Sequence, residues 1–214
     1  MILEFEHVTG NGKKFRLSDI SFALPKGYIM GIAGKNGAGK TTLFDYIVNP
    51  KQQYTGTIRI NGEDIRKDHF EVMQKVGFVS DKNEFLLERS AKQNAEIIGI
   101  AYENWDMDTF IDSMKKMEVS PGKVVGKMSR GESMKFQTAF AMAHGSTLYL
   151  LDEVTAGMDP VFRIDFFKIL HQIIENEQAS VVMTSHIETE INQKMDYVAI
   201  LEQGKMISFG EAGD

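Results

Sequence analysis

The 214-residue chain is predicted to fold as one α/β domain, with a mostly parallel sheet, antiparallel strands at the N-terminus and a helical subdomain inserted over approximately residues 82–145. Three observations carry this. Short apolar runs bounded by turn residues dominate the first third and return in the last third; the middle has helical periodicity; and a glycine-rich segment stands where a strand gives way to a helix.

From Ile2 to Ser80 the strand-like runs are ILEFEHV, FRLSDISFAL, YIMGIAG, GTIRING and KVGFVS, with Gly-rich or Asn-Gly turns between them and one helix, TTLFDYIV. From Lys82 to Gly145 the pattern turns helical. SAKQNAEIIGIAY and DMDTFIDSMKKM open on Ser90 and Asp106 as caps and space their apolar residues three or four apart. Strands resume at STLYLLDE and SVVMTSH. Between them runs DPVFRIDFFKILHQIIENEQ, where Asp159 can cap a helix and Pro160 fits its first turn. YVAILEQGKMISFGE reads as a hairpin turning at Gln203-Gly204. Trp105, on a segment connecting helices, reads equally as an interface residue or a local anchor.

Composition narrows the function. With 24 Lys and Arg against 30 Asp and Glu, the net charge of -6 offers no overall basic field for a nucleic acid. The chain has no cysteine, so disulfide frameworks and thiolate metal sites are excluded. The N-terminus lacks the basic and apolar regions of a secretion signal, and no run approaches the ~20 apolar residues of a spanning helix, so any membrane role must come through a partner.

The sharpest chemical signal is Gly34, Lys35, Asn36, Gly37, Ala38, Gly39, Lys40 and Thr41, followed by Thr42. It fits G-x-x-x-x-G-K-[ST] between a strand and a helix. Successive backbone N–H groups can curve around a phosphate there, the helix presents its positive end, Lys40 adds a cation and Thr41 a hydroxyl for Mg²⁺. A second signal is LYLLDE, an apolar strand ending in two carboxylates. At the carboxyl end of a parallel strand Asp152 would face the metal held by Thr41, and Glu153 could polarise the water that attacks a γ-phosphate.

These residues resemble the ATP-binding subunits of ABC transporters, a family built on the P-loop NTPase core, and the resemblance runs from the first strand to the final hairpin. Lys127-Met128-Ser129-Arg130-Gly131-Glu132 stands where the family has its LSGGQ signature. Ala156-Gly157-Met158-Asp159 resembles the family's D-loop, and Thr184-Ser185-His186 ends the next strand as the switch histidine does. The resemblance implies ATP and Mg²⁺, with Ser129 and Gly131 contacting the ATP of a second subunit and His186 contacting the γ-phosphate. Read alone, Ser129 to Glu132 is an ordinary helix cap, and His186 is a structural histidine.

The signature keeps Ser129 and Gly131 but has Arg130 for the first Gly and Glu132 for the Gln, and two positions outside it also depart from the family pattern. Asp81 stands where the family has a Gln that contacts Mg²⁺ and signals to the membrane subunit; it is a candidate metal ligand and equally a turn residue. Asn11 falls at the adenine-stacking aromatic, a role that Phe15 could take over unless it belongs to the core. The implied protein is an ATPase that pairs, as a homodimer or with a related subunit, and works on transmembrane permease subunits of a separate chain. It would lie on the cytoplasmic face of the membrane. The altered signature, Asp81 and a compact chain point to export, and a soluble ABC-type ATPase acting on ribosomes, nucleic acid or cluster assembly is the alternative.

Overall fold

The computed structural model describes residues 1–12, 15–82, 84–155, 160–177, 179–185 and 195–213, excepting the side chains of 160–162, 176 and 177. Strands β1 (Leu3–Gly10), β2 (Ile20–Leu24), β4 (Tyr54–Ile60) and β5 (Glu63–Asp64) form an antiparallel sheet in the order β2-β1-β4-β5. A six-stranded sheet has the order β10-β9-β3-β8-β7-β6, from β3 (Ile29–Ala33), β6 (Val76–Val79), β7 (Leu148–Leu151), β8 (Ser180–Ser185), β9 (Tyr197–Glu202) and β10 (Lys205–Glu211). Only β10 runs antiparallel to its neighbour in that sheet. The helices are α1 (Lys40–Val48), α2 (His69–Met73), α3 (Ala91–Ile98), α4 (Met107–Lys116), α5 (Arg130–Ala143) and α6 (Pro160–Glu177).

The larger sheet is buried on both faces, and the sequence of its strands says why. Along β7, Leu148 and Leu150 join a core cluster with α1, while Tyr149 and Leu151 join a second cluster with α6. The same alternation recurs in β8, where Val182 faces one cluster and Val181 and Met183 the other. Strands buried on two sides need apolar residues at every position, which is why LYLL and SVVM have no polar alternation. The first cluster fills the space between the two sheets around Leu43, Phe44 and Ile47. A third cluster, including Phe110, Met114, Phe136 and Phe140, holds α3, α4 and α5 together. Helix α5 belongs to two clusters, since Met134 and Ala141 pack with the sheet.

Local chemistry sets the ends of these elements. Ser90 and Gln93 form a reciprocal capping box on α3, and the Asp106 carboxylate accepts from the N–H groups of Asp108 and Thr109 on α4. Gln203 and Gly204 have φ of 47° and 80°, the left-handed pair that matches the twist of a tight hairpin. Trp105 is a local anchor, its ring 4.7 Å from that of Phe140 and so close to Gly99 that a Cβ there would overlap it.

Two expectations need correction. The run FRLSDISFAL is a strand only from Ile20, just after Asp19, which adopts a left-handed φ of 53°. Strand β5 and helix α2 were not anticipated, two and five residues being too short to show periodicity; Asp68 capping the N–H of Glu71 was the available signal. Asp159 as a helix cap lies outside the described residues.

His144 ends α5 as a buried residue, 3% exposed, stacked on Tyr102 at 4.1 Å and within 3.2 Å of the Gln74 carbonyl. Burial pushes its pKa down to about 4. The unfolded chain therefore takes up a proton near pH 6.5 that the folded chain refuses until about pH 4, so stability present above pH 6.5 is lost as pH falls through that window. We expect the wild type to lose about 2 kcal/mol more than His144→Gln between pH 7 and 4.5 in urea melts. Equal losses would remove His144 as the cause.

Candidate functional site

The phosphate loop lies between the end of β3 and the start of α1, in the middle of the six-stranded sheet. Gly39 precedes the helix with φ 112°, and a Cβ there would come within 2.9 Å of the Phe15 ring and 2.7 Å of Leu17. Both the conformation and the close approach require glycine. The loop is braced from two distant parts of the chain: the Gly204 N–H donates to the Ala38 carbonyl, and the Ser18 N–H donates to the Gly204 carbonyl, at 2.9 and 2.8 Å. The final hairpin thus holds the loop's shape. Phe15 lies against this loop, 39% exposed.

Lys40 is 4% exposed and turns back over the loop. Its Nζ donates to the carbonyls of Gly34 (2.8 Å) and Lys35 (3.4 Å) and lies 3.3 Å from Glu153 Oε1. Thr41 Oγ1 donates to Asp152 Oδ2 at 2.8 Å. Strand β8 runs between β3 and β7, so its last residues lie between the phosphate loop and the two carboxylates. Thr184, fully buried, uses that position: its hydroxyl donates to Asp152 Oδ1 at 2.7 Å and accepts from the Glu153 N–H at 2.8 Å. The sequence marks Thr184 only as part of the strand end before His186, with no role of its own. The available signal was a hydroxyl in the otherwise apolar buried run SVVMTS.

Glu153 has φ 51°, a left-handed conformation that costs a non-glycine residue of order 1 kcal/mol. One turn along α1 from Thr41, burial raises the Asp45 carboxyl above its ordinary pKa; Lys82 opposes the shift and Asp152 adds to it. Acidic oxygens therefore crowd this end of the helix. Among the described residues no group of three or more His, Cys, Asp or Glu could hold a metal ion by itself. Thr41 and Asp152 offer two hard oxygens side by side, a partial shell that suits Mg²⁺ completed by water and phosphate oxygens.

The signature segment occupies the start of α5. Ser129 caps it: its hydroxyl accepts from the Glu132 N–H at 3.3 Å while Glu132 Oε2 accepts from the Ser129 N–H at 2.8 Å. Glu132 also takes two 2.8 Å hydrogen bonds from Lys123 Nζ, which hold its carboxyl down to about 2, well below its ordinary range. Where the family has Gln, this Glu is a structural clamp. Asp81, just past β6, accepts from Arg130 Nε at 2.6 Å, and Arg130 Nη2 donates to the Glu153 carbonyl at 3.0 Å. Ala156 to Asp159 and His186 lie outside the described residues.

The arrangement therefore brings Gly34 to Thr41, Asp152 and Glu153 together, while Ser129 and Gly131 lie apart from them at the head of α5. The family model described as ABC transporter matches residues 17–156. The chain belongs to the ABC transporter family. It carries that family's ATP-binding cassette, an ATPase. It is 31% identical over 198 residues to the ABC transporter ATP-binding protein NatA of Bacillus subtilis, covering 90% of this chain and 80% of that one. It is 30% identical over 200 residues to the bacitracin transport ATP-binding protein BcrA of Bacillus licheniformis, with 92% of this chain covered. The match spans 65% of that relative's length. Among solved structures, the ATP-binding cassette MJ0796 in a dimeric post-hydrolysis state with ADP and Pi superposes with a TM-score of 0.85 at 19% identity, covering 99% of both chains. CbiO1 of Clostridium perfringens, part of the cbiONQ complex, superposes with 0.82 at 22% identity, covering 99% of this chain and 88% of that one. Likeness at that identity establishes the fold.

Proposed function

We propose that this ABC cassette drives transport through membrane-spanning subunits on a separate chain, exporting its substrate, and that it works as a dimer with two ATP between phosphate loops and signatures. The observation that supports this reading best is the convergence of Thr41, Asp152, Thr184 and Glu153 beside Lys40. The loop amides from Gly34 to Thr42 cradle the β- and γ-phosphates, with Lys40 Nζ exchanging Glu153 for a phosphate oxygen as the nucleotide enters. Phe15, beside the loop, stacks on the adenine. Thr41 and Asp152 would hold Mg²⁺, which neutralises charge on the phosphate oxygens. Glu153, released by Lys40, orients a water and takes its proton as the oxygen attacks the γ-phosphorus and the bond to ADP breaks. By the family resemblance, His186 would contact the γ-phosphate. Ser129 and Gly131, at a helix N-terminus, bind the γ-phosphate held by the other subunit.

Force leaves the cassette through a groove of about 350 Å³ between the core and the helical insert. Val48, Met73, Phe78 and Tyr102 line it with apolar surface, and Lys82 and Glu84 add charge. Short helices of permease subunits fit there and place the chain on the cytoplasmic face of the membrane. No described helix is long and apolar enough to cross a membrane. The name of the bacitracin relative supports a transport role, and the net charge of -6 disfavours nucleic acid.

Affinity purification of the chain from detergent-solubilised cells tests the partner. We expect a second chain with about six apolar ~20-residue segments to co-purify in a fixed ratio. Recovery with ribosomes or nucleic acid instead would overturn the transporter reading in favour of a soluble ABC ATPase.

A further inference from the structure

We propose that Arg130 and Asp81 act as one unit, in which Arg130 is a positioning residue for the hydrolytic carboxylate and Asp81 is its counter-ion. This rests on the reading of Glu153 as the group that orients the attacking water.

The two residues are departures from the family pattern that lie 49 positions apart in the chain, yet they meet. Arg130 is the first residue of α5, Asp81 follows β6, and Glu153 follows β7, the parallel neighbour of β6. One guanidinium therefore ties the head of a helix to the carboxyl ends of two adjacent strands. Its Nε donates to Asp81 Oδ1 at 2.6 Å and its Nη2 to the Glu153 carbonyl at 3.0 Å. The rigid plane of a guanidinium makes these two contacts interdependent: the carboxylate that fixes Nε also aims Nη2. A glycine at 130 could make neither contact, and a glutamine at 81 could not neutralise an arginine. The two departures compensate one another.

The consequence falls on Glu153. Its peptide is in a left-handed conformation, φ 51°, held on the amide side by the Thr184 hydroxyl and on the carbonyl side by Arg130. A strained peptide keeps its aim only when its surroundings hold it, and the carboxylate direction follows from the backbone. Removing Arg130 leaves the carbonyl side of that peptide without the guanidinium donor. The phosphate loop is not in this pair, so nucleotide binding is spared. The side chains of Arg130 and Asp81 are 39% and 57% exposed, so the ion pair contributes little to global stability and its role is read in rate. Asp81 engaged with Arg130 is a counter-ion and not a metal ligand.

The test is steady-state ATP hydrolysis by the full chain as wild type, Arg130→Gln, Asp81→Asn, the double variant and Arg130→Lys, each titrated with ATP and with Mg²⁺. We expect each Gln or Asn variant to lose kcat about tenfold with KM within about twofold. The double variant should be no slower than Arg130→Gln alone, and Arg130→Lys, a point charge without the planar fork, should stay below wild type. The half-saturating Mg²⁺ should be the same throughout. Losses that multiply in the double variant overturn the pair. A Mg²⁺ requirement raised by Asp81→Asn alone restores Asp81 as a metal ligand and overturns it too. Weakened ATP-driven pairing in Arg130→Gln alone assigns Arg130 to the partner's phosphate and also overturns it. Glu153→Gln in the same assay separates the two readings. If that variant keeps the wild-type rate, the catalytic carboxylate itself is misassigned; if it is inactive while the other losses multiply, only the pair fails.

Discussion

The Glu153→Gln variant is expected to hydrolyse ATP ~10²–10⁴-fold more slowly than wild type and to become a stable dimer with ATP but not with ADP. The substitution keeps size and shape while removing the carboxylate proposed to take the water's proton. Thr41 and Asp152 remain hydrogen-bonded and Lys40 remains in place, so binding survives. Lys40 is released from its 3.3 Å pairing with Glu153, so it turns to phosphate more readily. In the proposed dimer each ATP would bridge the phosphate loop of one subunit and Ser129 and Gly131 of the other, so unhydrolysed ATP would act as interface glue. A net charge of -6 on each copy opposes pairing, and losing one carboxylate per site beside the γ-phosphate relieves part of that repulsion. Size-exclusion chromatography with light scattering reads the outcome. Hydrolysis at the wild-type rate would remove Glu153 from the mechanism. An inactive variant that binds ATP yet stays monomeric would leave the catalytic role standing and point to a related subunit as the natural partner.

Lys40→Ala should weaken ATP binding about a hundredfold, read by calorimetry, and abolish hydrolysis. Two effects add. The ammonium proposed to meet the phosphates is lost, and Glu153, 35% exposed, is left without its Lys40 partner, where it would repel the triphosphate. The fold should hold, since the Gly34 and Lys35 carbonyls that accept from Lys40 belong to a loop where water can replace it, and the loop's brace from Gly204 to Ala38 does not involve its side chain. A folded variant with wild-type affinity would sink the phosphate-loop assignment.

Periodicity and punctuation determined much of this protein without coordinates. The glycine spacing from Gly34 to Gly39, the abrupt Asp152-Glu153 end of an apolar run and the Gln203-Gly204 turn are local signals, each enforced by backbone sterics or by burial on two faces of one sheet. What only the tertiary structure decided is how distant segments meet. Strand order put β8 between β3 and β7, and so made Thr184 the hydroxyl that links Asp152 to the Glu153 amide. The same packing set Gly204 under the phosphate loop and Arg130 between Asp81 and Glu153. Read along the chain, Asp81 is a candidate ligand or a turn residue and Arg130 part of a helix cap; their pairing is invisible there, because the two lie 49 positions apart. A side chain's chemistry is local, but its partner is chosen by the path of the sheet, and hydrogen bonds across that path leave no periodic trace in sequence.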